Sequence, residues 1–139
     1  MQILQALLPL IGVIIGGFVS YLAQTANQKR IEKNKDRRQK TIAYNEILKR
    51  EGENSPLEPP IHSGENKEFD WKNYVEGNRR ILYDNLHLFD FNIADKVLHI
   101  DYLGEKAEAL GPEQEDIDWV YNLYFEIIDW IKKDYPKSK

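Results

Sequence analysis

The residues that could carry out chemistry are few, and their spacing gives no metal or nucleophile motif. The sequence contains three histidines, His62, His87 and His99, and no cysteine. His62 falls in a predicted loop, while His87 and His99 fall on different predicted helices without an H-x-x-E or H-E-x-x-H context. No Walker A loop, G-x-S-x-G motif or nucleotide-binding glycine cluster occurs. We therefore predict no catalytic residue, no metal site and no cofactor.

One pair of residues supports an enzymatic alternative. Arg80 and His87 are separated by six residues on the polar side of a predicted helix. This spacing is similar to the R-x4-6-H motif of HEPN-type ribonucleases, small helical domains in which the pair is catalytic at a dimer interface. The resemblance implies RNA cleavage by these two residues, although Ile81 stands where that family has a polar residue. The structural interpretation, which we favour, is that Glu76, Arg80 and Asp84 form surface ion pairs at i,i+4 spacing.

The elements that would position these residues follow from the distribution of charge. No charged residue precedes Lys29. Residues 24–50 carry nine basic and three acidic residues, a net charge of +6, whereas the chain from Glu51 onward has a net charge of −10. Because phosphate binding relies on clustered lysine and arginine, the acidic distal part argues against a nucleic-acid partner.

The uncharged N-terminal run predicts a membrane helix. Ile3 to Leu22 are about twenty mostly apolar residues, which span about 30 Å as a helix, so residues 1–23 are predicted to cross the bilayer once. A cleaved signal peptide is disfavoured because no lysine or arginine precedes the run. The following basic residues predict an outer N-terminus and a cytoplasmic C-terminus, most simply in a bacterial inner (plasma) membrane. Lys29, Arg30 and Lys33 would then contact lipid headgroups.

Small residues within this run offer a helix-pairing surface. Gly12, Gly16 and Ser20 recur every four residues and share one stripe of the helix. Such stripes allow two helix backbones to approach closely. We therefore expect a homo-oligomer, or pairing with another membrane or cytoplasmic protein.

The rest of the chain predicts an all-α fold. Residues 24–51 form a basic helical stalk, whose far end regains apolar residues, and residues 52–69 form a proline- and glycine-rich linker. An acidic helical bundle follows at 70–135, with a tail at 136–139. Its predicted helices are Asp70 to Phe89, Asn92 to Leu110 and Pro112 to about Tyr135, giving a three-helix bundle, or a four-helix bundle with the stalk end.

The last predicted helix has apolar side chains over more than half of its circumference, which one neighbouring helix cannot cover. It is therefore either the central helix of the bundle or an interface for another chain. The possible partner surface consists of Trp119, Tyr121, Phe125 and Trp130.

Together these features predict a single-pass, membrane-anchored helical protein with an interaction, scaffold or regulatory function in its cytoplasmic domain. A holin-like or toxin-like membrane-active effector is one alternative. The HEPN-like ribonuclease is the other.

Overall fold

The computed structural model of the chain describes residues 2–58 and 66–138, except for the side chains of residues 2–8, 10, 11 and 58. The described residues form five α-helices and one short antiparallel pair of strands. In chain order these are α1 (Gln2–Glu53), β1 (Leu57–Glu58), β2 (Glu68–Phe69), α2 (Trp71–Glu76), α3 (Asn78–Asp84), α4 (Phe91–Leu110) and α5 (Gln114–Ser138), with a 3-10 turn at Leu86–Leu88 before α4. The prediction of an all-α protein is confirmed.

The chain divides into two compact units, and α1 contributes to both. Unit 1 is Met1–Asp36 and unit 2 is Arg37–Lys139. Unit 1 consists of the first part of α1. Unit 2 contains the end of α1 and every later helix and strand.

The structure corrects the membrane prediction. Within residues 2–58 and 66–138, no helix combines the length and the apolar character needed to cross a membrane. The predicted transmembrane helix and the predicted single-pass localisation are therefore wrong. In the first half of the predicted span, the side chains of residues 3–8, 10 and 11 lie outside the described ones.

In unit 1, large apolar side chains of α1 are exposed. Val13, Ile14, Phe18 and Leu22 are among them. Thr25 Oγ1 donates to the Tyr21 carbonyl at 2.9 Å, within the same helix. The described side chains of this unit contribute none of the residues of the hydrophobic core.

Unit 2 is built around a core to which the end of α1, the short sheet and the later helices all contribute. The core residues are Ala43, Tyr44, Ile47, Phe69, Tyr74, Ile81, Leu82, Phe89, Ile93, Val97, Ile100, Leu103, Val120, Leu123, Tyr124, Ile127, Ile128 and Ile131. The inner face of α5 is buried along its length because α4, β2 and the end of α1 pack against it. The helical-bundle prediction is thus confirmed for this unit.

The predicted helix from Asp70 to Phe89 is broken into α2, α3 and the 3-10 turn. Asp70 caps α2 as the sequence predicts, since its Oδ1 accepts from the Asn73 backbone N–H at 2.9 Å. The break falls at Gly77, where an added Cβ would collide with the Asn73 carbonyl oxygen. The Arg50 Nη1 lies 3.4 Å from the Glu76 carbonyl and donates to it. The Arg50 side chain of α1 therefore binds a backbone carbonyl at the point where the helix breaks.

The ends of α4 and α5 follow local signals and one long-range contact. α4 ends at Gly111, whose φ of 91° is the positive value that glycine accommodates, as the sequence predicts. α5 continues to Ser138, past the predicted end near Tyr135. The Ser138 carbonyl accepts from Thr41 Oγ1 at 2.7 Å and from Arg37 Nε at 3.2 Å. These contacts with α1 hold the additional turn.

Candidate interaction site

The outward side of α4 carries an exposed apolar stripe. Phe91, Leu98 and Tyr102 fall within about 40° of one another at 100° per residue, and their exposed fractions are 86%, 49% and 62%. Val97 and Ile100, which are fully buried, lie on the opposite side of the helix. Because another side of α4 is already buried in the core, this second stripe is apolar surface that the core does not use. A contiguous exposed apolar surface of this kind is typical of interaction sites.

His99 joins this stripe to α5. Its ring centroid lies 4.5 Å from that of Trp119 and 6.1 Å from that of Tyr102. Trp119 is 48% exposed. We call the surface formed by Phe91, Leu98, Tyr102 and Trp119 the outer face. It presents three aromatic residues from two helices, and tryptophan and tyrosine are enriched in the energetic centres of protein interfaces.

Ion pairs between α4 and α5 hold the outer face in register. Lys96 Nζ lies 2.7 Å from Glu126 Oε2. Lys106 Nζ lies 2.7 Å from Asp116 Oδ2 and 3.4 Å from Glu113 Oε2. The hydrogen bonds to Asp116 and Glu113 raise the pKa of Lys106 above its usual value. The two helices are thereby linked at two points along their length.

A cavity of about 480 Å³ opens on another side of α4, toward α2 and α3. Its floor is the Trp71 indole lying against Gly104, where an added Cβ would stand 2.9 Å from a ring carbon. Only a glycine at this position allows the indole to lie so close to the helix backbone. Val75 and Pro112 add further apolar lining. Cavities of this volume with a mainly apolar lining and a few polar groups are typical ligand sites.

An arginine and an aspartate form the polar side of the cavity. Arg79 Nε lies 3.0 Å and 2.9 Å from the two Asp101 carboxylate oxygens, and Arg79 Nη2 lies 2.6 Å from Oδ2. The guanidinium also lies 4.9 Å from the Tyr83 ring centroid. Burial, together with the neighbouring Asp101 carboxylate, raises the pKa of Tyr83 to about 12. Both charges of the Arg79–Asp101 pair are therefore engaged with each other, in the bidentate geometry that arginine favours.

The Tyr74 hydroxyl lies behind this pair. It is fully buried and has no hydrogen-bond partner among the described residues. Burial and the charge of Asp101 raise its pKa above the usual range. Tyr74 therefore stays a neutral phenol, and its ring packs against Trp71 with a centroid distance of 6.2 Å.

A second polar cluster lies inside the core and connects three elements. The Tyr124 hydroxyl donates to Glu51 Oε2 at 2.7 Å, and it accepts from Asn78 Nδ2 at 2.8 Å. Asn78 Nδ2 also lies 3.3 Å from the Ile47 carbonyl. Burial is the main reason that the pKa of Tyr124 lies above its usual range. These groups join α1, α3 and α5 and have a structural role, because buried polar groups must be paired.

Of the four residues predicted as a partner surface, Trp119 belongs to the outer face. Trp130 is half-buried against the core, and its ring lies 6.0 Å from Tyr44 and 6.3 Å from Phe89, each approached edge-on. Lys40 Nζ lies 5.2 Å from the Trp130 ring centroid. Trp130 is therefore engaged within unit 2.

Tyr121 and Phe125 lie elsewhere on α5. Tyr121 is half-buried, with Lys67 Nζ 5.2 Å from its ring centroid, and Phe125 is exposed. A role for these two residues at an interface stays a prediction.

The residues predicted for helix pairing and lipid contact lie in unit 1. Gly12, Gly16 and Ser20 are exposed, and added Cβ atoms at the two glycines would meet no other atom within 4 Å. The helix-pairing role stays a prediction. Lys29, Arg30 and Lys33 are exposed, and their predicted contact with lipid headgroups depended on the membrane span.

Arg80 and His87 lie on separate elements, α3 and the 3-10 turn, although the sequence predicted one helix. Arg80 Nε lies 3.6 Å from Asp84 Oδ2, so the predicted surface ion pair is present, and the arginine side chain is 89% exposed. Glu76 ends a different helix, α2. His87 is exposed.

The cavity was not predicted from the sequence. One signal was available, since Gly104 lies in the apolar stripe of the predicted helix from Asn92 to Leu110, where a glycine is costly unless another group packs against it. The sequence does not show that this group is Trp71.

In the part of the chain that the structure describes, no group of three or more histidine or acidic side chains could hold a metal ion.

Comparison with known proteins gives no relative, because no family model, no curated protein and no solved structure matches the chain.

Proposed function

We propose that the chain is a helical interaction protein, and that unit 2 docks an amphipathic helix of a basic partner on its outer face. The observation that carries this proposal is the exposure of Phe91, Leu98, Tyr102 and Trp119 on one side of a bundle whose core is already closed. An amphipathic helix laid on such a surface buries its own apolar side chains at the same time.

The charges beside the stripe favour a basic partner. Asp95 and Glu105 are exposed and flank the apolar residues of the stripe within about 40°. Unit 2 is also acidic, since residues 37–139 contain 15 basic and 21 acidic residues, a net charge of −6. Lysine or arginine at the edges of a partner helix would pair with these carboxylates and speed the encounter.

The same two carboxylates disfavour a second copy of this chain on the outer face. Antiparallel pairing of two α4 helices about position 100, between Leu98 and Tyr102, would place Asp95 against Glu105, and parallel pairing in register would place each against itself. Like charges in contact across an interface are unfavourable. Self-association through Gly12, Gly16 and Ser20 in unit 1 is a separate proposal that does not use this surface.

The test is retention of a partner by the tagged full-length chain in mild detergent, quantified by mass spectrometry. The double variant Phe91→Asp/Leu98→Asp should lose a partner that the unmodified chain retains. Ile42→Asp is the matched control, because Ile42 is also an exposed apolar residue of unit 2 and lies on α1. Equal retention by all three proteins would refute docking on the outer face.

A Gly16→Ile variant tests self-association independently. Sedimentation of the unmodified chain should show a second copy, and this variant should shift it toward the monomer. A monomer at every concentration would refute self-association, and it would not bear on docking at the outer face.

A further inference from the structure

The cavity between α4 and the pair α2–α3 has charged groups that its own contacts do not neutralise. Asp101 is paired with Arg79 in a bidentate manner. Glu105 and Glu108 also line the cavity, and among the described residues neither carboxylate forms an ion pair. The four charged groups of the lining therefore leave an excess of two negative charges, and the lining disfavours an anion.

The floor of the cavity offers an aromatic ring and apolar groups, which suit the charged group and the methylene stem of a cationic side chain. The Trp71 indole is held against α4 by the absence of a side chain at Gly104. Tryptophan is the aromatic residue that attracts cations most strongly to its face. Apolar lining from Val75 and Ala107 suits a methylene stem.

We infer that this cavity receives an arginine side chain of a basic peptide segment. The methylene stem would lie on the apolar lining, the guanidinium would stack on Trp71, and Glu105 and Glu108 would accept its N–H groups. Arginine fits better than lysine because its planar group stacks on an aromatic face and binds carboxylates at two points. The Arg79–Asp101 pair closes one side, and its charges are already satisfied.

The position of Glu105 connects this cavity to the outer face. Glu105 lies three residues after Tyr102, so the two side chains are neighbours on the surface of α4. A helix lying on the outer face could extend an arginine past Glu105 into the cavity. That the arginine comes from a partner helix rests on the proposed function, the docking of a basic helix on the outer face. The recognition of the arginine itself can be tested separately.

The experiment uses the full-length chain and two small probes, acetyl-arginine amide and its neutral isostere acetyl-citrulline amide. The chain has three tryptophans, so the indole N–H signals of Trp119 and Trp130 serve as internal references for Trp71 in two-dimensional NMR. Acetyl-arginine amide should shift the Trp71 signal to saturation and leave that of Trp130 unchanged. Acetyl-citrulline amide should bind at least about fivefold more weakly, since each partly exposed charge pair contributes a factor of a few.

The variant Glu105→Gln/Glu108→Gln keeps the shape of the two side chains and removes both charges. It should weaken acetyl-arginine amide by about fivefold or more. The matched control Glu32→Gln/Glu115→Gln removes two exposed carboxylates outside the cavity and should leave the affinity unchanged. Equal binding of the two probes, an unmoved Trp71 signal, or an equal loss in both double variants would overturn the inference.

The outcomes also separate this inference from the proposed function. Phe91→Asp/Leu98→Asp should lose the partner and still bind acetyl-arginine amide. If the unmodified chain retains a partner through the outer face but acetyl-arginine amide does not bind, docking stands and the arginine site is wrong.

Discussion

In unit 1 nearly all of the described side chains of α1 are exposed, whereas in unit 2 the same helix contributes Ala43, Tyr44 and Ile47 to a closed core. Both stretches are helical, so burial is not required for a local helix in a segment of this length. Backbone hydrogen bonds can sustain a long helix once it has started, because the cost of nucleation is met only once. The difference teaches that helix formation and fold stability have separate causes in this chain.

The largest expected difference is in the response to a truncated isoleucine. Ile127 is fully buried, so Ile127→Ala should lower the free energy of unfolding of unit 2 by about 2–5 kcal/mol. Ile14→Ala in unit 1 should change it by less than about 0.5 kcal/mol. Urea unfolding followed by tryptophan fluorescence measures this, since all three tryptophans lie in unit 2. Equal losses would show that the stability of unit 2 depends on unit 1.

A smaller effect is expected from the buried hydroxyl of Tyr124. Tyr124→Phe removes the hydrogen bond to Glu51 at 2.7 Å and leaves the Asn78 amide without one acceptor. The expected loss is about 1.5–3 kcal/mol, the range for hydrogen bonds to charged groups. Tyr21→Phe, at an exposed position of unit 1, is the control and should be neutral. A neutral Tyr124→Phe would show that the polar cluster does not stabilise the bundle.

The smallest effect concerns pH. Burial alone would raise the pKa of Asp134, but hydrogen bonds from Lys40 Nζ and Tyr44 Oη, both at 2.8 Å, outweigh burial and hold it below its ordinary 3.8. A lowered folded-state pKa contributes stability above the unfolded-state value, and this contribution is lost as the pH falls through the folded-state pKa.

Asp134→Asn should therefore cost about 1 kcal/mol at neutral pH, and this cost should shrink below about pH 4. Asp36→Asn in unit 1 makes the same change of charge at an exposed position and should show neither effect. Urea unfolding of the three proteins between pH 7 and pH 3 measures the difference. A cost that does not change with pH would contradict the ion pair.

Predictions of helix ends from the sequence were correct where the physical cause is local. The cap at Asp70 and the end of α4 at Gly111 depend on groups within a few residues, and both are found as predicted. The single helix from Asp70 to Phe89 was wrong because the helix breaks at Gly77, beside which Arg50 of α1 donates to the Glu76 carbonyl. An apolar pattern with helical spacing cannot reveal such a contact.

The membrane prediction failed for a different reason. It rested on the uncharged composition of Ile3 to Leu22 as a whole, whereas no helix of the described residues combines the length and the apolar character needed to cross a membrane. The candidate site was predicted only in part. Trp119 was singled out from the width of the apolar surface of α5, but its neighbour His99 lies on another helix.

By itself, the sequence determined that the chain is helical, where α4 ends and that the distal part is acidic, because propensity, capping and charge are properties of neighbouring residues. Only the tertiary structure decided which distant side chains meet. The Trp71 indole lies on Gly104, Arg79 pairs with Asp101, and Asn78 reaches Tyr124. The physical reason is that close packing and the pairing of buried polar groups depend on positions in space, which helical periodicity does not specify.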